Sequence, residues 1–288
     1  ITSFHVLVSR NILFSPLLKM LKDRGWIIVV LAPLKKRDFL EKQYGADNVV
    51  VVGIVNVLNR LDNFFKDLAM STIKTRSLEI LRRRKMGIER PFFQKILFFS
   101  SFLKPLIPFL FGLFIPRHSF HDLFEKYRPN LVFVTDVFSS NDCRLMLEAK
   151  THKIPVVGMV RSWDNLTSKG GFRAIPDILV VQNEVAENEA VRFHKIKEDI
   201  IRIVGVPHYD NYLSYKDDDL SIFQQLKIPP KNRYVVYAPL GDRIIKVGDT
   251  IQKHKYDKEM VEILDKILPA DVFLVVRIPP TDTVSIGE

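Results

Sequence analysis

Short β-branched runs recur along this chain, each ending in polar residues and each followed by a stretch of helical periodicity. No other feature restricts the fold as much. Runs that are apolar on both faces need a covering layer on each side, and helices between successive strands supply it, which is the format of a parallel sheet. The spacing predicts strands at Phe4–Val8, Trp26–Leu31, Val49–Val52, Leu131–Thr135, Val156–Val160, Ile178–Val181 and Ile201–Val204. Helices fall between them at Pro16–Arg24 (with Gly25 as the C′ residue), Lys35–Tyr44, Asn141–His152 and Glu184–His194. After Asp217-Asp218-Asp219 and Pro229-Pro230 the alternation starts afresh, with strands Tyr234–Ala238 and Val272–Val276 around a helix Lys258–Leu268. We expect an α/β protein whose first domain covers 1–215 and whose second begins in 230–288. A single β-α-β unit is too small to close a core. Together with Ile1 in place of Met, it leads us to expect a piece of a longer protein. No basic n-region or small-residue cleavage site accompanies the first apolar run, so we read no signal peptide.

Charge is distributed unevenly. The net charge is +10, and residues 59–117 hold twelve Lys and Arg against four acids, together with ten of the 21 Phe. The segment is a basic, Phe-rich insert on a nearly neutral body, and it favours anionic partners. Lys95, Lys104, Pro105 and Pro108 interrupt its apolar stretch, which argues against a spanning helix. Two readings stay open: an interfacial patch meeting anionic lipid through Arg82–Lys85, or core-packing helices with a solvated basic face. Nucleic acid is not expected as a partner, because no recognised module accompanies the cluster. With 47% apolar residues the chain can bury a core, which excludes disorder. Cys143 stands alone, which excludes a disulfide scaffold and leads us to expect a cytoplasmic protein. Inside a helical pattern, it reads as a small core filler.

In open α/β sheets ligands bind beyond the carboxyl ends of the strands, and polar residues gather there: Arg10 and Asn11; Asp136; Arg161 to Lys169; His208; Asp242 and Arg243; Arg277. The richest stretch is Arg161-Ser162-Trp163-Asp164-Asn165-Leu166-Thr167-Ser168-Lys169-Gly170-Gly171. Amides at its Gly pair, with Lys169, could cradle an anion, and Trp163 could stack on a sugar or base. Equally, it could be a surface loop with Asp164 or Asn165 capping a turn. Gly241–Tyr256 is longer than a usual strand-to-helix connection and reads either as a binding loop or as a solvated excursion.

Several chemistries lack their residues. There is neither G-x-G-x-x-G nor G-x-x-x-x-G-K-[ST], and no G-x-S-x-G elbow. His118 and His121 lie three apart with no third or fourth ligand near them in the chain, so they read as helix N-terminal residues rather than a zinc site, and no metal is expected.

Three pieces carry a family resemblance: Val204-Gly205-Val206-Pro207-His208-Tyr209-Asp210, Val236-Tyr237-Ala238-Pro239 and Val275-Val276-Arg277-Ile278-Pro279-Pro280. With the order of elements, they resemble the glycosyltransferase B-type fold, in which two Rossmann-like domains face each other, here with the second domain cut short. More narrowly, the chain is similar to bacterial surface-carbohydrate transferases related to the polyglycerol-phosphate transferase and UDP-N-acetylglucosamine 2-epimerase groups. Pro279 stands where such families usually carry a His. The resemblance implies transfer of a sugar or related group from a nucleotide diphosphate donor, used as substrate with no cofactor, to a surface glycan or lipid-linked acceptor. The insert would place the protein at the inner face of the plasma membrane. It implies a base among Asp136, Asp164 and His208. It also implies contacts to substrate or anion from Arg10, Asn11, Arg161, Trp163, Asn165, Lys169, Asp242, Arg243 and Arg277. An epimerase on the same fold, or a noncatalytic binding protein, are the alternatives. The piece alone would be inactive, because the donor site of the family lies mostly further on.

Overall fold

The computed structural model describes residues 1–5, 9–55, 58–80, 104–213, 221–229, 233–239, 245–247, 250–252 and 255–278, and the side chains of 9, 10, 221, 245–247, 250–252, 255 and 256 are not among them. By contact the chain divides into two units, Ile1–Ser214 and Tyr215–Glu288.

The first unit is built on parallel strands. Strands β1 (Ile28–Pro33) and β2 (Val49–Ile54) pair in parallel, and so do β3 (Val132–Val134), β4 (Val156–Met159), β5 (Ile178–Val181) and β6 (Ile201–Ile203) in that order. The leading residues join the two groups. Thr2 bridges Leu31 in parallel, Ser3 N–H donates to Leu31 O, and on the other side Thr2 N–H donates to Phe133 O at 3.0 Å. The lateral order is therefore β2, β1, Ile1–Ser3, β3, β4, β5, β6, an α/β sheet of Rossmann-like type. The leading pairing falls on Ile1–Ser3, ahead of the expected Phe4–Val8, of which Val6–Val8 lie outside the described residues.

Helices cover the sheet, and local sequence sets their limits. Helix α1 (Pro16–Asp23) starts on Ser15, whose hydroxyl accepts Leu17 N–H, with Pro at its first position, and Gly25 follows its end at φ +75°. After α2 (Arg37–Tyr44), helix α3 (Arg60–Ser71) opens with a reciprocal capping box between Asn59 and Asp62. Helices α4 (Leu106–Phe114) and α5 (His121–Tyr127) lead back to the sheet. Ser139 caps α6 (Ser140–Thr151), α7 is the short turn Asn165–Ser168, and Asn183 caps α8 (Glu184–His194) through Ala186 N–H. Val134, Met146, Val156, Leu166 and Leu179 are fully buried in the main core. Cys143 is buried with them as a filler, its thiol pushed up to about 11 by burial.

The basic insert contributes to that core. Phe65 and Phe111 meet edge to face at 5.4 Å, and Ile107 is buried beside them. On the other face of α4, Phe109, Leu113 and Phe114 are exposed. Arg82–Lys85 lie outside the described residues. Among those described, no helix is long and apolar enough to cross a membrane.

In the second unit β7 (Arg233–Tyr237) and β10 (Val272–Val276) pair in parallel beside the helix Lys255–Ile267. Tyr237 OH donates to Asp257 at 2.7 Å across that packing. Gly241–Tyr256 is not a plain excursion: its described residues form an antiparallel pair, β8 (Ile245–Val247) and β9 (Thr250–Gln252). A short hairpin satisfies backbone groups that an open loop of that length would leave to solvent.

Candidate functional site

A doubly wound sheet has one place where neighbouring strands send their connections in opposite directions. Here it lies between Ile1–Ser3, which leads to β1, and β3, which leads to β4. The loops diverge there and leave a crevice. A cavity of ≈ 770 Å³ occupies this position, and its wall includes Phe4 and His5 just past the leading strand, Thr135 and Asp136 just past β3, and Arg161 beyond β4. The start of α6 contributes Ser139, Ser140, Asn141 and Asp142. Asp164, Ser168 and Lys169 come from the following loop, and Lys66, Asp67 and Met70 from α3.

The charges are of both signs. Arg161 Nη1 lies 3.3 Å from Asp136 Oδ2, and both side chains are mostly buried. Two further polar atoms are buried here with no hydrogen-bond partner among the described residues, Arg161 Nε and Asn141 Oδ1. Such atoms are uncommon, because an unmet donor or acceptor costs ~1–3 kcal/mol. A ligand offering one acceptor and one donor would satisfy both. Asp142, beneath them, is pushed up to about 7 by burial, with the Asp136 charge adding to that against the Thr2 hydroxyl, which donates to it. Burial, with the charges of Arg161, Lys36 and Lys169, lowers the His5 pKa from its ordinary value, while Asp136 acts the other way. His5 is therefore a neutral imidazole at pH 7, able to accept a proton.

The loop richest in polar residues divides into parts. Arg161, Asp164 and Lys169 reach the cavity; Trp163 is 78% exposed and Asn165 is buried, and neither is in its wall. Asp164 accepts from Ser162 Oγ at 2.7 Å and Ser168 Oγ at 2.9 Å. Burial would raise its pKa, but those hydroxyls, aided by Lys169, hold the carboxyl below its ordinary value. Both oxygens are engaged and the group is a weak base. The Gly171 amide is not free to cradle an anion. Gly171 N–H donates to Ala69 O at 2.9 Å, and Gly170, at φ +86°, lies so close to α3 that a Cβ would stand 2.5 Å from Met70 Cα. The pair docks the loop on α3.

Other expected residues lie elsewhere. His208 sits in the turn Pro207–Tyr209, which packs against the helical turn Ser9–Leu13 holding Asn11, and neither side chain is in the cavity wall. The Arg10 side chain, Asp242 and Arg243 fall outside the described residues. Arg277 belongs to the second unit, where it is exposed and its N–H donates to Tyr237 O.

His5, Asn141 and Lys66 were not anticipated. His5 stands inside an apolar opening, Lys66 inside the basic run, and only the Ser139-Ser140-Asn141-Asp142 capping run after a strand offered a signal. The absence of a third ligand for His118 and His121 also needs correcting. One oxygen of Glu148, in α6, lies within 4.8 Å of a nitrogen of each.

No family model and no curated protein matches the sequence. Among solved structures, the chain is similar to a glycosyltransferase from Rickettsia africae ESF-5, with a TM-score of 0.50 at 12% identity over 96% of this chain. It spans 66% of that protein's length. The likeness is one of fold alone.

Proposed function

We propose that the chain is a glycosyltransferase of the B-type fold, with the acceptor in the cavity of the first unit and a nucleotide diphosphate sugar donor as the charge of the second. One observation carries the reading: at the switch point of the sheet, a neutral imidazole, an Asp–Arg pair and unsatisfied polar atoms share one cavity. Its mixed charge suits a polyhydroxyl acceptor, since a bare polyanion would meet Asp67, Asp136 and Asp164. The Asn141 oxygen and the Arg161 Nε–H fit a sugar hydroxyl, which donates one hydrogen bond and accepts another.

In this reading His5 takes the proton of the acceptor hydroxyl as its oxygen bonds to the donor's anomeric carbon and the carbon–oxygen bond to the diphosphate breaks. The Asp136 carboxylate steadies the imidazolium that forms, and the Lys169 cation at the rim offsets charge on the departing diphosphate. Asp164 holds the loop that carries Lys169. The finer reading, a surface-carbohydrate transferase with a glycan or lipid-linked acceptor, rests on the resemblance of Val204–Asp210, where Gly205 turns at φ +76° before the Pro207 turn. The exposed Phe109, Leu113 and Phe114 on the basic insert suit a lipid surface bearing that acceptor.

Turnover of a panel of nucleotide sugars by the full-length protein tests the reaction. His5→Gln should lower kcat about 10²–10⁴-fold, and Asp164→Asn only a few-fold. Parent-like kcat for His5→Gln discards the base, and no turnover by the parent discards the transferase. Sedimentation with vesicles tests the surface, and binding that ignores anionic lipid content removes it.

A further inference from the structure

Outside the cavity, one cluster of ligating side chains is joined to a buried atom with nothing to bind. Glu148 is fully buried in α6. Its Oε2 accepts Phe120 N–H at 2.7 Å, and its Oε1 has no hydrogen-bond partner among the described residues. Burial raises its pKa, against the Phe120 N–H and the neighbouring His118, His152 and His121. A buried carboxylate oxygen left unmet calls for a proton or a cation.

Two exposed imidazoles stand beside that oxygen. His118 and His121 are edge to face with centroids 5.9 Å apart, and each brings a nitrogen within 4.8 Å of the carboxylate and of each other. The segment between them is fixed to α6 at two points, by Arg144 Nη1 donating to Ser119 Oγ at 2.7 Å and by the Phe120 N–H bond to Glu148. Arg144 is itself held by Asp62, so the backbone presenting both imidazoles is set before any ion arrives. His152, one turn beyond Glu148, stacks on Phe124 at 4.9 Å and lies 6.1 Å from His121.

We propose that His118, His121 and Glu148 bind a divalent transition-metal ion of the zinc class. Two imidazole nitrogens and one carboxylate oxygen suit zinc, and its ligand distances of about 2.0–2.2 Å imply ligand separations near ~3.3 Å. Small rotations of the two exposed side chains close the set, and water completes the tetrahedron. The ion would fasten the chain leaving the basic insert to α6, whose first turn forms part of the cavity wall. It is placed to stabilise structure, and it does not depend on the transferase reading.

The full-length protein, free of any polyhistidine tag and stripped with chelator, is titrated with Zn²⁺ alone against a chromophoric competitor, with thermal unfolding in parallel. One equivalent should bind and raise Tm on the order of 5 °C. The double variant His118→Ala/His121→Ala changes only exposed residues, so it should fold with the Tm of the stripped parent and lose both saturable uptake and the Tm rise. Glu148→Gln, where it folds, should lose them as well. No saturable uptake by the parent overturns the proposal, and so does uptake unchanged in the double variant.

Discussion

Two Asp–Arg pairs in the first unit differ in what surrounds them. Arg144 and Asp62 are fully buried and bidentate, at 2.9 and 2.7 Å, and Asp62 also accepts Asn59 N–H while Arg144 reaches Ser119. Arg161 and Asp136 meet at one contact of 3.3 Å, and Arg161 Nε has no partner among the described residues. The first pair is a closed network joining α3 to α6. The second is open toward a cavity. The same two residue types thus serve as scaffold or as site according to whether their hydrogen-bonding capacity is used up.

The contrast can be broken most sharply at the closed pair. Asp62→Ala leaves the Arg144 charge buried and unpaired, and should cost about 3–5 kcal/mol in denaturant unfolding. A loss below ~1 kcal/mol would show that the network is not the scaffold we describe.

Next in size is the carboxyl beneath the open pair. Asp142 has its pKa raised from 3.8 to about 7, so the folded state holds a proton that the unfolded state releases. Stability is then lost as pH rises from about 4 through 7. Asp142→Asn keeps the acceptor for Thr2 and abolishes the ionisation, so it should be more stable than the parent by about 2–4 kcal/mol at pH 8 and equal to it near pH 4. Parallel stability curves for the two proteins from pH 4 to pH 8 would contradict this.

The smallest effect is expected at the open pair. Asp136→Asn keeps the oxygen that accepts Phe138 N–H and removes one 3.3 Å contact beside the cavity, so it should cost less unfolding free energy than Asp62→Ala. Its cost should appear in kcat instead. A loss of stability as large as that of Asp62→Ala would erase the distinction.

Much of the fold was legible because its signals are local. Pro16 and Gly25 bracket one helix and Asn183 opens another, each within one turn of chain, and the β-branched runs mark the strands; the Asn59–Asp62 cap of α3 is as local, yet no helix was expected there. The site was less legible because strand order, not chain distance, decides which tips become neighbours. Asp136, Arg161, Asp164 and Lys169 were among the residues singled out, and the sheet gathers them. His5 joins them only because Ile1–Ser3 lies between β1 and β3. The Gly170-Gly171 pair illustrates the opposite error. Its conformational freedom was evident in the sequence, yet the segment it serves, Ala69–Met70, is a hundred positions upstream. Glu148 had no reading of its own, because its partner Phe120 N–H lies 28 positions upstream.

At Gly170 the backbone rests directly on Met70, with no side chain between them to flex. That seam has no slack to give, so the place of the loop carrying Asp164 and Lys169 is fixed by where α3 lies.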